Sequence, residues 1–340
     1  MTIIYFIIVL SVTVFIHELG HFLFAKKAGI YVYEFSIGMG PRLFKFNRKN
    51  DETEYSIRLL PIGGFVQMAG ESVEEDENIP EEKRMQSKTW MQRFLTIVAG
   101  VMFNFIFAII IFFIVGLING VPQTKTIIGD VLVDSPASNS GLQTNMEVIE
   151  INGVKTRNLD RFMLEYQVNL GKQIDLVVLK DNQKQNISIK PILEDEQYKY
   201  GFGLDSTIEK GILPSIKYAF TKFFSLIEQM VVIIFYLCTG TLSLNSLSGP
   251  VGIFNIVGES AKAGFINIIY LIGYLSLNVG FINLLPIPAF DGGRIFFMII
   301  EKIRRKPLAA KTENIIHSVG FILLMVLMAV ITYNDIIRLK

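Results

Sequence analysis

Long unbroken apolar runs occupy both ends of the chain, and short alternating segments fill the stretch between them. Three runs, 2–25, 94–118 and 315–333, reach the roughly 20 residues a helix needs to cross a bilayer. A fourth, 266–286, is apolar but carries Asn278 and Asn283 and ends in a proline-rich turn. Residues 224–238 are interrupted by Glu228 and Gln229, and 212–223 mix lysines with aromatics. That pattern predicts an interfacial amphipathic helix over 212–238. The fold class is a polytopic α-helical membrane protein with about four transmembrane helices.

Residues 126–193 change period. Two-residue alternation predicts strands at 127–133, 148–151, 174–179 and 185–189, with one helix over 157–170. Asn152-Gly153 is a hairpin turn signal. The chain therefore divides into a membrane part (1–120), a small β-rich domain (121–200) and an interfacial helix with a second membrane part (201–340).

Composition agrees: 51% of residues are hydrophobic and 19% charged, as in an integral membrane protein with some soluble structure. A net charge of +1 gives no electrostatic footprint for nucleic acid. The single cysteine, Cys238, excludes an internal disulfide and a cysteine-rich zinc site. The first run lacks a basic leader and a small-x-small cleavage pattern, so it is expected to be retained. Lys26 and Lys27, Arg93, and the group Lys302, Arg304, Arg305 and Lys306 flank span ends. The positive-inside rule places those ends in the cytoplasm, with residues 120–264 and the C-terminus outside.

Inside the first run stands His17-Glu18-Leu19-Gly20-His21. Ionisable groups at membrane depth cost roughly 2.5–3.5 kcal/mol at a helix centre and mark functional positions. Residues i and i+4 share a helix face, so two imidazoles there can hold one metal ion while Glu18 takes a proton from a metal-bound water. The chain has three histidines, and two are in this motif. A catalytic zinc generally takes three protein ligands and leaves one position open. Glu34 and Glu71 are available by residue type. The best-placed candidate is Asp291 in Asn-Leu-Leu-Pro-Ile-Pro-Ala-Phe-Asp-Gly-Gly (283–293), where two prolines free backbone groups beside an apolar run. A metal transporter would show repeated spans with acidic residues along a path, and that pattern is not found.

Two resemblances follow. Ser-Pro-Ala-x-x-x-Gly-Leu (135–142), followed by Ile151-Asn152-Gly153, resembles a PDZ domain of the bacterial membrane-protease type. The likeness implies an extracytoplasmic groove that takes an extended peptide, or the stub of a trimmed ectodomain, by strand addition. His-Glu-Leu-Gly-His together with Asn-Leu-x-Pro-x-Pro-x-x-Asp-Gly-Gly resembles the site-2 protease family (peptidase M50), in its PDZ-bearing RseP-like branch, over essentially the whole chain. Phe290 stands where that pattern usually has leucine.

The family resemblance implies one zinc ion on His17, His21 and Asp291, with Glu18 as general base. It implies cleavage of transmembrane segments of single-span proteins in the bacterial plasma membrane, such as a trimmed anti-sigma factor or leftover signal peptides. The chemistry would lie toward the cytoplasmic side of the lipid bilayer. Gly100-x-x-x-Asn104 resembles the family's second-span motif, where Asn104 contacts either a neighbouring helix or substrate. Asn278, Asn283, Pro286 and Pro288 resemble its substrate-handling positions. Residues 38–44 and 58–68 resemble its membrane-associated β-hairpin, with Gly63, Gly64 and Phe65 at the tip or edge. Ser248-Gly249-Pro250-Val251-Gly252 matches a further signature. The acidic stretch 71–88 is expected to be a solvated loop.

Overall fold

The computed structural model describes the chain except residues 50, 72–77, 307–309 and 339–340, so part of the acidic loop 71–88 lies outside the described residues. The membrane part begins with α1 (Thr2–Lys27), β1 (Val32–Asn47), β2 (Glu54–Met68) and α2 (Trp90–Asn119). The middle of the chain holds β3 (Val121–Pro122), β4 (Ile128–Val131), α3 (Pro136–Asn139), β5 (Glu147–Ile151), β6 (Val154–Lys155) and α4 (Leu159–Val168). It continues with β7 (Ile174–Lys180), β8 (Gln183–Ile189), β9 (Ile192–Glu194), β10 (Gln197–Lys199), β11 (Phe202–Leu204) and β12 (Ile208–Glu209). Five helices close the chain: α5 (Ile212–Cys238), α6 (Pro250–Ala263), α7 (Phe265–Leu284), α8 (Asp291–Arg304) and α9 (Ala310–Arg338). Two compact units result: Met1–Ile111 with Leu244–Lys340, and Phe112–Ser243.

In the first unit α1 and α7 run side by side in the same direction. Val9 packs with Ile268 and Leu271 near their N-terminal ends, and His17 and His21 meet Asp291 just beyond the C-terminal end of α7. Helix α2 runs the opposite way, since its Thr96 reaches His21 and its Asn104, two turns on, reaches His17. Two of the three cationic ends, those at Arg93 and Lys302, lie together. Arg93 pairs with Glu301 at 2.6 Å, Lys302 lies over the Trp90 ring, and the Trp90 indole N–H donates to the Met298 carbonyl at 2.9 Å.

The strands β1 and β2 are longer than the sequence suggested, and they are bent rather than straight. Glu34 to Ile37 have register partners in both halves of β2: Gln67 to Gly64, and Glu54 to Ile57. Gly63, Gly64 and Phe65 are therefore not at the hairpin tip. They lie along an edge of the sheet, with residues 34–37 on their inner side. The buried Glu34 sits in the middle. It takes hydrogen bonds from Arg58 (2.8 Å), Arg42 (2.7 Å) and Ser56, which commits its lone pairs and removes it from the pool of metal ligands.

The Ser-Gly-Pro-Val-Gly segment acquires a physical role. It opens α6, with Pro250 in the first turn, and the Gly252 amide donates at 2.8 Å to the buried carboxylate of Asp335 on α9. A partly positive helix start thus receives a carboxylate from a helix 83 residues away.

The second unit holds a four-stranded sheet in the order β6-β5-β7-β8. Its core comprises Ile128, Leu142, Met146, Val148, Ile151, Phe162, Leu176 and Tyr200, among others. The Asn152-Gly153 turn forms with both residues at positive φ, joining β5 to β6. Ser135 caps α3 by accepting from the Ser138 amide at 3.2 Å, and Pro136 occupies its first turn. Helix α5 is one continuous element of 27 residues, which Glu228 and Gln229 do not interrupt. Asp160 of α4 accepts from Lys222 and Ser225 of α5 at 2.5 and 2.6 Å. Among the described residues five helices are long and apolar enough to cross a membrane: α1, α2, α5, α7 and most of α9. Length and composition thus admit α5 alongside the four expected spans.

Burial pushes the Glu34 carboxyl up, but hydrogen bonds from Ser56 and Arg58 and the charges of Arg58 and Arg42 outweigh it and hold it below the usual range. A carboxylate depressed on folding lends stability that is present at neutral pH and lost as pH falls through its folded value. Glu34→Gln should therefore lower stability at pH 7 by roughly 1–3 kcal/mol. The gap to wild type should close below about pH 4, as followed by thermal melts across that range.

Candidate metal centre and catalytic cleft

Helical spacing puts the two histidines one turn apart, their rings edge to face at 4.7 Å and their Nε2 atoms 3.2 Å apart. Asp291 at the start of α8 brings Oδ2 to 3.1 Å from His17 Nε2 and 3.2 Å from His21 Nε2. These atoms form an almost equilateral triangle. A tetrahedral zinc with bonds of about 2.0–2.1 Å requires ligand atoms about 3.3 Å apart. Asp291 Oδ2 is buried and makes no hydrogen bond among the described residues. An orphaned carboxylate oxygen facing two imidazole nitrogens fits a cation at their centre.

The His21 tautomer fits as well. His21 Nδ1 lies 2.9 Å from the Thr96 carbonyl, which only accepts, so the ring proton is on Nδ1 and the Nε2 lone pair faces inward. His17 Nδ1 lies 3.4 Å from the Asn104 side-chain amide. The atom nearest the ring is Asn104 Nδ2, while Asn104 Oδ1 is turned the other way. Ser276 Oγ of α7 donates to Asn104 Oδ1 from the other side at 3.1 Å.

Space for this triangle comes from close backbone approach. A Cβ on Gly100 of α2 would fall within 3.0 Å of both imidazoles, and one on Gly20 within 3.0 Å of the α2 backbone. The two glycines after Asp291 face the 284–287 carbonyls at similarly short range, so the chain can double back and launch α8 beside α7.

Glu18 opens onto a cleft of about 900 Å³ that also contains the three ligands, Asn283, Ala289, Phe290 and the β2 edge from Gly63 to Met68. The Gly64 position lies 3.7 Å from the Glu18 Cγ, measured from where a Cβ would stand. Of the residues singled out in the sequence, His17, Glu18, His21, Asp291, Asn283, Gly63, Gly64 and Phe65 line this space. Asn104 is buried behind His17, and Asn278 spends its amide on the Tyr274 carbonyl of its own helix at 2.8 Å. Pro286 and Pro288 shape the loop before Asp291 and are not among the residues lining the cleft.

Two charged or titratable residues of the cleft, Arg294 and His317, carried no expectation. Arg294, one turn after Asp291, pairs with Glu71 at the end of the β2 edge, which accounts for Glu71 without a metal. His317 of α9 also lines the cleft. Its signal was present in the sequence as the third histidine, inside an apolar run.

The profile of peptidase family M50 matches residues 5–327. The chain belongs to peptidase family M50. It is 34% identical to the Regulator of sigma-W protease RasP of Bacillus subtilis and 33% identical to the Zinc metalloprotease RasP of Bacillus licheniformis, over 99% of each chain in both cases. A Clostridium perfringens protein is 38% identical over 99% of each chain. The alignment with the Bacillus subtilis protein runs to 418 positions, more than the 340 residues of this M50 peptidase, so that relative carries residues this one lacks. The Clostridium alignment runs to 339. This M50 peptidase is a zinc metalloendopeptidase and a multi-pass membrane protein, with His17, His21 and Asp291 grouped as a metal site requires.

Gly100→Ala is expected to push the imidazoles apart and lower zinc affinity by roughly tenfold or more, as disturbed ligand support does elsewhere. Metal content of the purified protein, with circular dichroism to confirm intact helices, checks this.

Proposed function

We propose that this peptidase cuts the transmembrane segments of single-span membrane proteins, with Glu18 as general base and His17, His21 and Asp291 as zinc ligands. The observation that carries this reading is one cleft containing Glu18, the ligand triangle and a sheet edge. A membrane helix satisfies its own backbone and shields its carbonyls, so it must open locally before any attack. The edge from Gly63 to Met68 offers an opened segment new backbone partners, and Gly64 would set it beside Glu18. Bound zinc supplies Lewis-acid activation of a water and of the peptide carbonyl. Glu18 would accept a proton from the attacking water and pass it to the leaving amine. Asn283 is placed to hold the substrate, while Asn104 orients His17 from behind.

The parity of membrane crossings supports an outer location for the inserted domain. Helices α1 and α7 are parallel and α2 is antiparallel to both. The end of α2 and the start of α7 then face the same side, and an even number of crossings must join them. A lone crossing by α5 breaks that parity, so α5 is read as an interfacial helix. The lysine and arginine distribution makes that side extracytoplasmic. The insert's Ser-Pro-Ala-x-x-x-Gly-Leu segment and Asn-Gly turn support a PDZ domain there. Such a domain would act as a gate that a folded ectodomain cannot pass and a short stub can. The name of the Bacillus subtilis relative fits cleavage in sigma-factor signalling.

The reading is tested with a tagged single-span substrate in membranes devoid of such activity. Wild type should cut it, and Glu18→Gln at equal expression should not, a loss of at least about 10²-fold. Equal cutting by both would sink the mechanism. Excising residues 126–193 should extend cleavage to substrates with intact ectodomains while leaving trimmed ones cleaved, seen by immunoblot.

A further inference from the structure

The loop 285–290 between α7 and α8 holds Asp291 in place, yet it has little regular structure of its own. Ala289, two residues before Asp291, has a φ of +85°, a conformation that an L residue keeps only when its surroundings hold it there. The holding contacts come from the last helix. The Ala289 amide donates to His317 Nδ1 at 3.0 Å. One turn along α9, the bare Gly320 backbone lies against Pro288, where a Cβ would fall within 3.0 Å of its carbonyl carbon and oxygen. Phe297 of α8 packs edge-on against the imidazole at 5.6 Å between centroids.

The tautomer of His317 follows from its partners. An amide N–H can only donate, so Nδ1 carries the lone pair and the proton resides on Nε2. The nearest carboxylate oxygen, of Glu313, is 3.9 Å from Nε2 and favours the same form. His317 thus resembles the two motif histidines turned around: they keep a lone pair for a cation, whereas it spends one on a backbone amide.

We infer that His317, with Gly320, is a positioning residue for the metal centre: α9 clamps the Pro288-Ala289 backbone and thereby sets Asp291 Oδ2 at its distance from His17 and His21. The inference rests on Asp291 being a zinc ligand. It assigns the final helix a part in metal binding although α9 contributes no ligand.

The test uses the full chain in detergent, with zinc affinity from chelator competition and the visible spectrum of the cobalt-loaded protein as a readout of ligand geometry. Asn places an acceptor close to the position of Nδ1, whereas Gln places its amide one bond further out and Leu has none. His317→Asn should bind zinc like wild type. His317→Leu, His317→Gln and Gly320→Ala should each weaken binding by roughly 10–100-fold, as loss of support behind a ligand does, and should alter the cobalt spectrum with unchanged helix content. Wild-type affinity in His317→Leu overturns the inference. Equal weakness in His317→Asn and His317→Leu overturns the amide clamp. Asp291→Asn is the control: if it retains zinc at wild-type affinity, the ligand assignment itself falls, and the two failures are told apart.

Discussion

Three electron-rich atoms pointing at one another within about 3.2 Å repel unless a cation lies between them, and the membrane unit is organised around imposing that arrangement. Helix α1 supplies two atoms by spacing alone. The third must be brought from a remote part of the chain, and every close contact around the site serves that need. The α2 backbone presses against the imidazoles at Gly100, and its carbonyl at Thr96 and side chain at Asn104 hold the rings. The folded-back glycines behind Asp291 let α8 begin where α7 has just ended.

Buried non-helical backbone survives only where its polar groups are satisfied. The bent β1–β2 sheet meets this by pairing residues 34–37 on both sides and by locking the one buried acid, Glu34, between two arginines. The loop before Asp291 meets it differently, through short internal hydrogen bonds such as Phe290 to Ile287 at 3.2 Å and through His317. Both irregular pieces border the same cleft. Non-helical backbone on two sides thus forms part of the wall of the cleft.

Much of this was legible beforehand because it is local. Hydropathy and length gave four of the long helices, and alternation with Asn152-Gly153 gave the strands of the inserted domain close to their observed positions. The i, i+4 spacing of His17 and His21 was decisive, and Asp291 stood out because two prolines and two glycines frame it. What stayed hidden depends on contacts distant in sequence. The Gly252–Asp335 bond spans 83 residues, and Ala289–His317 joins two elements that look unrelated in one dimension. Asn104 could not be assigned from an apolar helix alone, since burial behind His17 and exposure to a substrate have the same sequence signature. The hairpin, placed by resemblance at 38–44 and 58–68, extends to Val32–Asn47 and Glu54–Met68, and Glu34 in the added part pairs with Arg42.

The two halves of the metal site are separated by about 270 residues, with a whole folded unit between them. A ribosome adds roughly 5–20 residues per second, so Asp291 emerges tens of seconds after His21 has been made. During that interval the nascent chain carries the histidine pair and Glu18 but not Asp291. The cluster can therefore form only late in synthesis. The residue that closes the cluster is thus made only after both histidine-bearing turns and the inserted unit.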